Sequence, residues 1–250
     1  MNLFASEWIK ARSVRSTWLL AAATIVVTAL VSLLGISGLS ADWQTELPAD
    51  FDPVGVSFKG ILVGQLLMAM LGAQAVTSEY ASGQIISTLA IAPRRARLFA
   101  AKALVTISVA AVVAVATVAA SFAAGQAALA VAGLPTATMS EGETARALVC
   151  AVAYLVLSAV LGLAFGILTR SSSGALAIVV TVSLLVPALA PGLPGIVGQF
   201  AGTFWPTTAG QASYTVVGSG VPPLLGLAVM AVFTVWMTAA AVTTLRVRDV

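Results

Sequence analysis

The sequence contains no histidine and only one cysteine. Without histidine there is no imidazole general base and no imidazole metal ligand, so chemistry built on either is excluded. Cys150 cannot form an intrachain disulfide and is expected to pack as a small hydrophobe. Charge is scarce too: 8% of the 250 residues are Asp, Glu, Lys or Arg, against about 25% in a soluble domain. A soluble chain of this length could not cover its surface with so few charges. Four motif types are also missing. No CxxC pair, HExxH helix, GxSxG elbow or GxxxxGK[ST] phosphate loop occurs, so the chain does not cradle ATP by the last route.

What is present is apolar sequence in long runs. No charge occurs in residues 16–41, 60–78, 103–140, 147–169 or 171–245. A helix needs roughly 20 apolar residues to cross about 30 Å of hydrocarbon. Four of the gaps fit one helix each, and the last must hold two and a connector. Six spans are predicted, at about 17–39, 57–78, 103–131, 147–168, 175–191 and 221–244. The fifth is the least clean, because Pro187 follows Arg170 closely and this helix is expected to end early in broken structure. The first run exceeds a signal-peptide core and lacks a clean cleavage site, so it is expected to remain as an anchor.

The remaining charges are sorted by side. Lys10, Arg12, Arg15, Arg94, Arg95, Arg97, Lys102, Arg170, Arg246 and Arg248 fall on the side that holds both ends of the chain. The other side carries Asp42, Glu46, Asp50, Asp52, Glu141 and Glu143, with only Lys59 and Arg146 against them. The positive-inside rule assigns the basic side, and with it both termini, to the cytoplasm. Lys59 is expected to snorkel outward with Asp52 or Asp50 nearby; a role in transport is the alternative. No basic residues cluster on a soluble face, so nucleic acid is not an expected partner.

The connecting segments differ in character. Residues 2–16 mix Phe4, Trp8 and Ile9 with charges and are expected to form a helix in the membrane interface. Residues 79–102 hold Ile85, Ile86, Leu89 and Ala90 at helical spacing, which gives a short cytoplasmic helix one apolar face. Pro93 ends or kinks that helix, and the basic cluster behind it anchors the chain at its re-entry. An apolar face on an otherwise solvated loop points to a partner or to the membrane surface. Residues 187–223 hold six prolines and many glycines without a charge. They are expected to form short helices dipping into the outer leaflet, with Trp205 and Tyr214 at the interface and Pro222 and Pro223 in the first turn of the last helix. Gly60/Gly64 and Gly162/Gly166 form small-residue pairs of the kind that let membrane helices approach closely.

By elimination, this is a membrane body without an energy source of its own. Its spans hold almost no ionisable group away from their ends, unlike most ion-coupled transporters. Two rivals stay open. One is a scaffold, sensor or immunity subunit that does not transport; the other is a stand-alone secondary transporter.

The segment Glu79–Lys102, with the pattern E-Y-x-x-G-x-x-x-x-x-L-x-x-x-P-x-R-x-R-x-x-x-x-K, resembles the loop after the second span in type-2 ATP-binding-cassette (ABC) exporter permeases. The leader Ser6–Trp18 and the stretches Arg170–Ala175 and Pro206–Gln211 are similar to actinobacterial members. The resemblance covers essentially the whole chain. It implies an all-α permease domain over 1–250 with six transmembrane helices in the bacterial plasma membrane. It also implies an interface helix at 1–16 (about Phe4–Ser16), a coupling helix at about Glu79–Ala92 within the 79–102 loop, and re-entrant helices within 190–220. The implied function is ATP-driven export, and the neutral, apolar spans suit an amphipathic small molecule, peptide or lipid-like substrate. The implied partners are a second permease, as a homodimer, and two copies of a separate ABC ATPase subunit that carries ATP and Mg; no cofactor and no enzymatic activity are implied in this chain. The residues implied to contact the ATPase are Glu79, Gly83, Ile85, Ile86, Leu89, Pro93, Arg94 and Arg97. The sequence departs from many members at Thr77–Gln84, where an Arg/Glu-rich run ending in Gly-Thr is replaced, so Glu79 and Gly83 are the residues that carry over there.

Overall fold

The computed structural model describes residues 3–38, 43, 47–84, 95–217 and 220–247, and every regular element among them is helical. Six helices are long and apolar enough to cross a membrane. They are α2 (Arg15–Ser37), α4 (Ile61–Ala81), α5 (Arg95–Val131), α6 (Gly142–Thr169), α7 (Ser172–Gly192) and α10 (Pro223–Val247). Four short helices complete the chain: α1 (Leu3–Ser13), α3 (Pro53–Ser57), α8 (Gly195–Thr203) and α9 (Pro206–Ala212). The chain is an all-α, multi-pass membrane protein.

Local chemistry sets the helix ends. Val14 is extended (φ −83°, ψ 112°) and separates α1 from α2. The Trp18 indole donates to the Arg12 carbonyl there at 3.0 Å, taking up an acceptor left over at the end of α1. Asp52 caps α3, accepting from the backbone N–H groups of Val54 and Gly55, and Pro53 occupies the first helical position. α4 closes through Gly83 and α5 through Gly133, both at φ +71°, the left-handed conformation that glycine adopts without a Cβ penalty. The Leu134 N–H then bonds back to the Leu129 carbonyl at 2.9 Å. Between α6 and α7 only Arg170 (φ 55°) and Ser171 intervene, and Ser171 caps α7 by accepting from the Gly174 N–H.

Several element lengths differ from expectation. α5 begins at Arg95 and has 37 residues, about 55 Å at 1.5 Å per residue. That exceeds the hydrocarbon layer, so its first turns stand outside it and carry Arg97 and Lys102. α7 does not break at Pro187. It runs 21 residues because a π turn at Thr181–Leu185 absorbs the irregularity before the proline. The loop expected at 169–174 is a tight turn, and the helix expected over 1–16 spans Leu3–Ser13.

The densest packing is between α4 and α6, and glycine makes it so. A Cβ on Gly162 would overlap the Ala69 carbonyl oxygen, and one on Gly72 would overlap that of Ala159. Gly60 and Gly64 instead face Thr28 of α2, where the Ser32 hydroxyl also accepts from the Gly60 N–H at 3.0 Å. Both small-residue pairs seen in the sequence therefore sit at helix contacts. The core above them is aromatic: Phe58 lies against Phe122 and Tyr214, and Tyr214 against Tyr154, with ring centroids 5.5–6.2 Å apart. Tyr214, expected at the lipid interface, is thus a core residue, 6% exposed. Tyr154 donates to the buried Gln65 side chain from α6 to α4.

The helices have two unlike ends. One, here the basic end, gathers α1, the close of α4, the start of α5 and the α6–α7 turn. The far end is held by side chains bonding backbone. Asp52 Oδ2 accepts from the N–H groups of Val216 (2.7 Å) and Val217 (3.2 Å). Arg146 donates to the carbonyls of Ser213 and Thr215, and Gln126 bridges Pro53, Ser57 and Ala137. Lys59, expected near Asp52 or Asp50, lies over the Trp43 ring, 4.8 Å from its centroid.

Candidate functional site

Four charged side chains from three helices meet at the basic end. Glu7 and Lys10 are one turn apart on α1, Glu79 lies near the end of α4, and Lys102 lies in the third turn of α5. Lys102 Nζ is 2.7 Å from Glu7 Oε2 and 2.6 Å from Glu79 Oε1. Lys10 Nζ is 3.0 Å from the same Glu79 oxygen and 3.2 Å from Glu7 Oε1. Lys102 is 4% exposed and Glu79 5%. Removing such groups from water costs several kcal/mol each. The two cations and two anions cancel, and short charge-assisted bonds offset the desolvation. Burial acts to lower the Lys10 pKa, but the Glu79 and Glu7 carboxylates outweigh it and raise it above the ordinary 10.5. Lys10 is therefore charged throughout the neutral range.

The position of this cluster matters more than its strength. Glu79 and Lys102 stand at the two roots of the loop that joins α4 to α5. Clamping them together, and both to α1, turns the loop roots and the N-terminal helix into one body. A second tie reaches across to the next turn: Thr77 Oγ1 and Ser172 Oγ are 2.6 Å apart, joining α4 to α7. Beside it the Arg170 guanidinium lies 5.5 Å from the Tyr80 ring centroid. The cluster and this tie therefore join α1, α4, α5 and α7 at one end of the molecule.

The residues singled out in the sequence fall into three groups. Glu79 turns inward, its carboxylate committed to the chain's own lysines instead of an open surface. Gly83 and Arg97 flank the loop: Gly83 makes the left-handed turn that closes α4, and Arg97 is exposed on the protruding start of α5. Ile85, Ile86, Leu89, Pro93 and Arg94 lie outside the described residues. Sequence reasoning missed Glu7 and Lys10 as site residues and read Lys102 as an interfacial anchor. A signal was available. Apart from Asp249, Glu7 and Glu79 are the only acidic residues on a side with ten basic ones. An acid isolated among bases next to a membrane helix needs a cation close by.

Residues 3–188 match the model of the family described as ABC-2 family transporter protein. No curated protein matches the chain.

Proposed function

The chain belongs to the ABC-2 transporter family and is a permease subunit; from that premise we propose that it is the membrane half of an ATP-driven exporter powered by a separate ATPase. The basic end is the cytoplasmic face and holds both termini. Two ATPase subunits dock there, on a pair of permease chains in the bacterial plasma membrane. The observation that carries the reading is the Glu7–Lys10–Glu79–Lys102 cluster. It binds both roots of the 82–94 loop to α1, so force on that loop is delivered to several crossing helices at once rather than absorbed by a slack connector. The apolar periodicity of Ile85, Ile86 and Leu89 supplies the docking face, and Gly83, Pro93, Arg94 and Arg97 frame it. The cargo is amphipathic and leaves the cytoplasm along a path between the two permeases.

Purification from mild detergent should bring down an ATPase subunit in equal ratio with the permease. Leu89→Asp should still insert but lose the coupling of ATP hydrolysis to transport. Normal transport by that variant, or purification without any ATPase, would overturn the reading.

A further inference from the structure

The elbow between α1 and α2 carries two arginines that no described acid neutralises. Arg12 lies in the last turn of α1 and Arg15 begins α2, and both are exposed. Neither guanidinium makes a hydrogen bond or an ion pair among the described residues. The nearby acids are already engaged, because Glu7 and Glu79 are both bonded to Lys10 and Lys102. The elbow itself is pinned. The Trp18 indole donates to the Arg12 carbonyl at 3.0 Å, so its ring, one turn beyond Arg15, stands beside the Arg12 backbone while remaining half-exposed.

Apolar surface adjoins the arginines on both sides. On α1, Ile9 lies one turn before Arg12 and is 67% exposed. On α2, Leu19, Ala22, Val26 and Leu30 follow Arg15 at helical spacing and form one exposed stripe. From Arg15 to Leu30 the helix rises about 22 Å at 1.5 Å per residue. That is more than half of a hydrocarbon layer about 30 Å thick. The opposite face of α2 is the one packed on protein, with Ala21, Thr24, Thr28 and Ser32 buried. Cationic groups, a tryptophan and an apolar stripe therefore follow one another in the order of a phospholipid's phosphate, interfacial region and tail.

Charge selects the occupant. Guanidinium groups engage a phosphodiester through charge-assisted bonds, and a zwitterionic headgroup brings an ammonium that opposes them. A second copy of the chain docked about a two-fold axis through the same stripe would set its Arg12 and Arg15 at the same depth, like charge against like. We propose that the elbow is a binding site for an anionic phospholipid, with the phosphate at Arg12 and Arg15, the interfacial region on Trp18 and one tail along Leu19–Leu30. The binding stands apart from the export reading, since it is measured without ATP or transport.

The test uses full-length protein, with any subunits that copurify, in phosphatidylcholine nanodiscs. The probe is phosphatidylglycerol with a diazirine in one tail, and photolabelled peptides are read by mass spectrometry. Labelling of α2 is expected to saturate as the probe fraction rises, and to be displaced by unlabelled phosphatidylglycerol but not by phosphatidylethanolamine. Each arginine near anionic headgroups is worth about fivefold, so Arg12→Gln combined with Arg15→Gln should weaken apparent affinity about 25-fold. Arg97→Gln removes a positive charge from the same end but not from the elbow, and should leave the labelling unchanged. Gel filtration confirms that the variants fold. Val26→Cys, in a Cys150→Ala background, should not crosslink between copies. Several results overturn the proposal: labelling that does not saturate, displacement by the zwitterionic lipid, an unaffected double variant, or an equal loss in Arg97→Gln, which would mean a diffuse basic surface and no site. Crosslinking through Val26→Cys also overturns it, because the stripe would then be a protein interface.

Discussion

Lys102 shows how one side chain can matter through what it leaves behind. It is the only cation of the cluster that is fully buried. Its removal strands two carboxylates with the half-exposed Lys10. Lys102→Ala is therefore expected to destabilise the protein by about 3–5 kcal/mol, the range for breaking a buried pair from one side. Neutralising the three buried members, with Glu7→Gln, Glu79→Gln and Lys102→Met, should recover much of that loss, because the one charge left, on Lys10, is half-exposed and reaches water. The protein carries its own reporter for this comparison. Cys150 is its single thiol and is buried, so the temperature at which a maleimide dye reacts reads unfolding directly. A triple variant no better than Lys102→Ala would show that the cluster acts through packing and not through charge.

Among the helices, the α4–α6 contact has the least room for error. Gly162→Leu places a side chain against the Ala69 backbone, which cannot retreat as a flexible side chain could. The expected outcome is at least the 1–3 kcal/mol of ordinary overpacking, read as loss of monodisperse protein on gel filtration and a lowered dye-labelling midpoint. Gly142→Ala is the matched control: its added Cβ meets nothing within 4 Å, and the change should stay within about 0.5 kcal/mol of wild type. The number of crossings and these glycine pairs were legible in the sequence because the membrane imposes a minimum length and close contact imposes small residues. Helix ends were not. Counting from charge to charge assumes that a charge marks a helix end, and α5 breaks that assumption by carrying Arg97 and Lys102 on turns that overhang the hydrocarbon. Tyr214 was misplaced for a related reason. An aromatic residue after prolines reads as an interface marker, and only the tertiary contacts with Phe58 and Tyr154 make it core.

Across the whole molecule the two ends are built on different principles. Buried ion pairs between side chains hold the basic end, whereas the far end, apart from the exposed Arg146–Glu143 pair, relies on Asp52, Arg146 and Gln126 bonding backbone of the segments they organise. The two should therefore fail independently. Asp52→Asn and Arg146→Leu are expected to speed amide exchange at 213–217 while leaving exchange at 79–84 and 95–102 unchanged. Deuterium uptake followed by mass spectrometry checks this, and faster exchange at both ends would mean that the ends are coupled at rest. Sequence could sort charges between the ends, since that depends on topology alone. It could not find Asp52 bonded to Val216 and Val217, because that contact joins residues far apart in the chain and depends on the fold. The π turn of α7 has a consequence for how this helix is aimed. The Trp205 indole donates to the Val182 carbonyl inside that turn at 2.7 Å, and the Thr207 hydroxyl reaches the same oxygen at 3.3 Å. A wide turn sets the phase of every residue beyond it. Closing it by one residue would swing the remainder of the helix by about 100° about its axis. Trp205 thus works as an indexing pin: while it is seated, Leu185 and Leu189 point outward, and unseating it would present a different stripe of α7 to its surroundings.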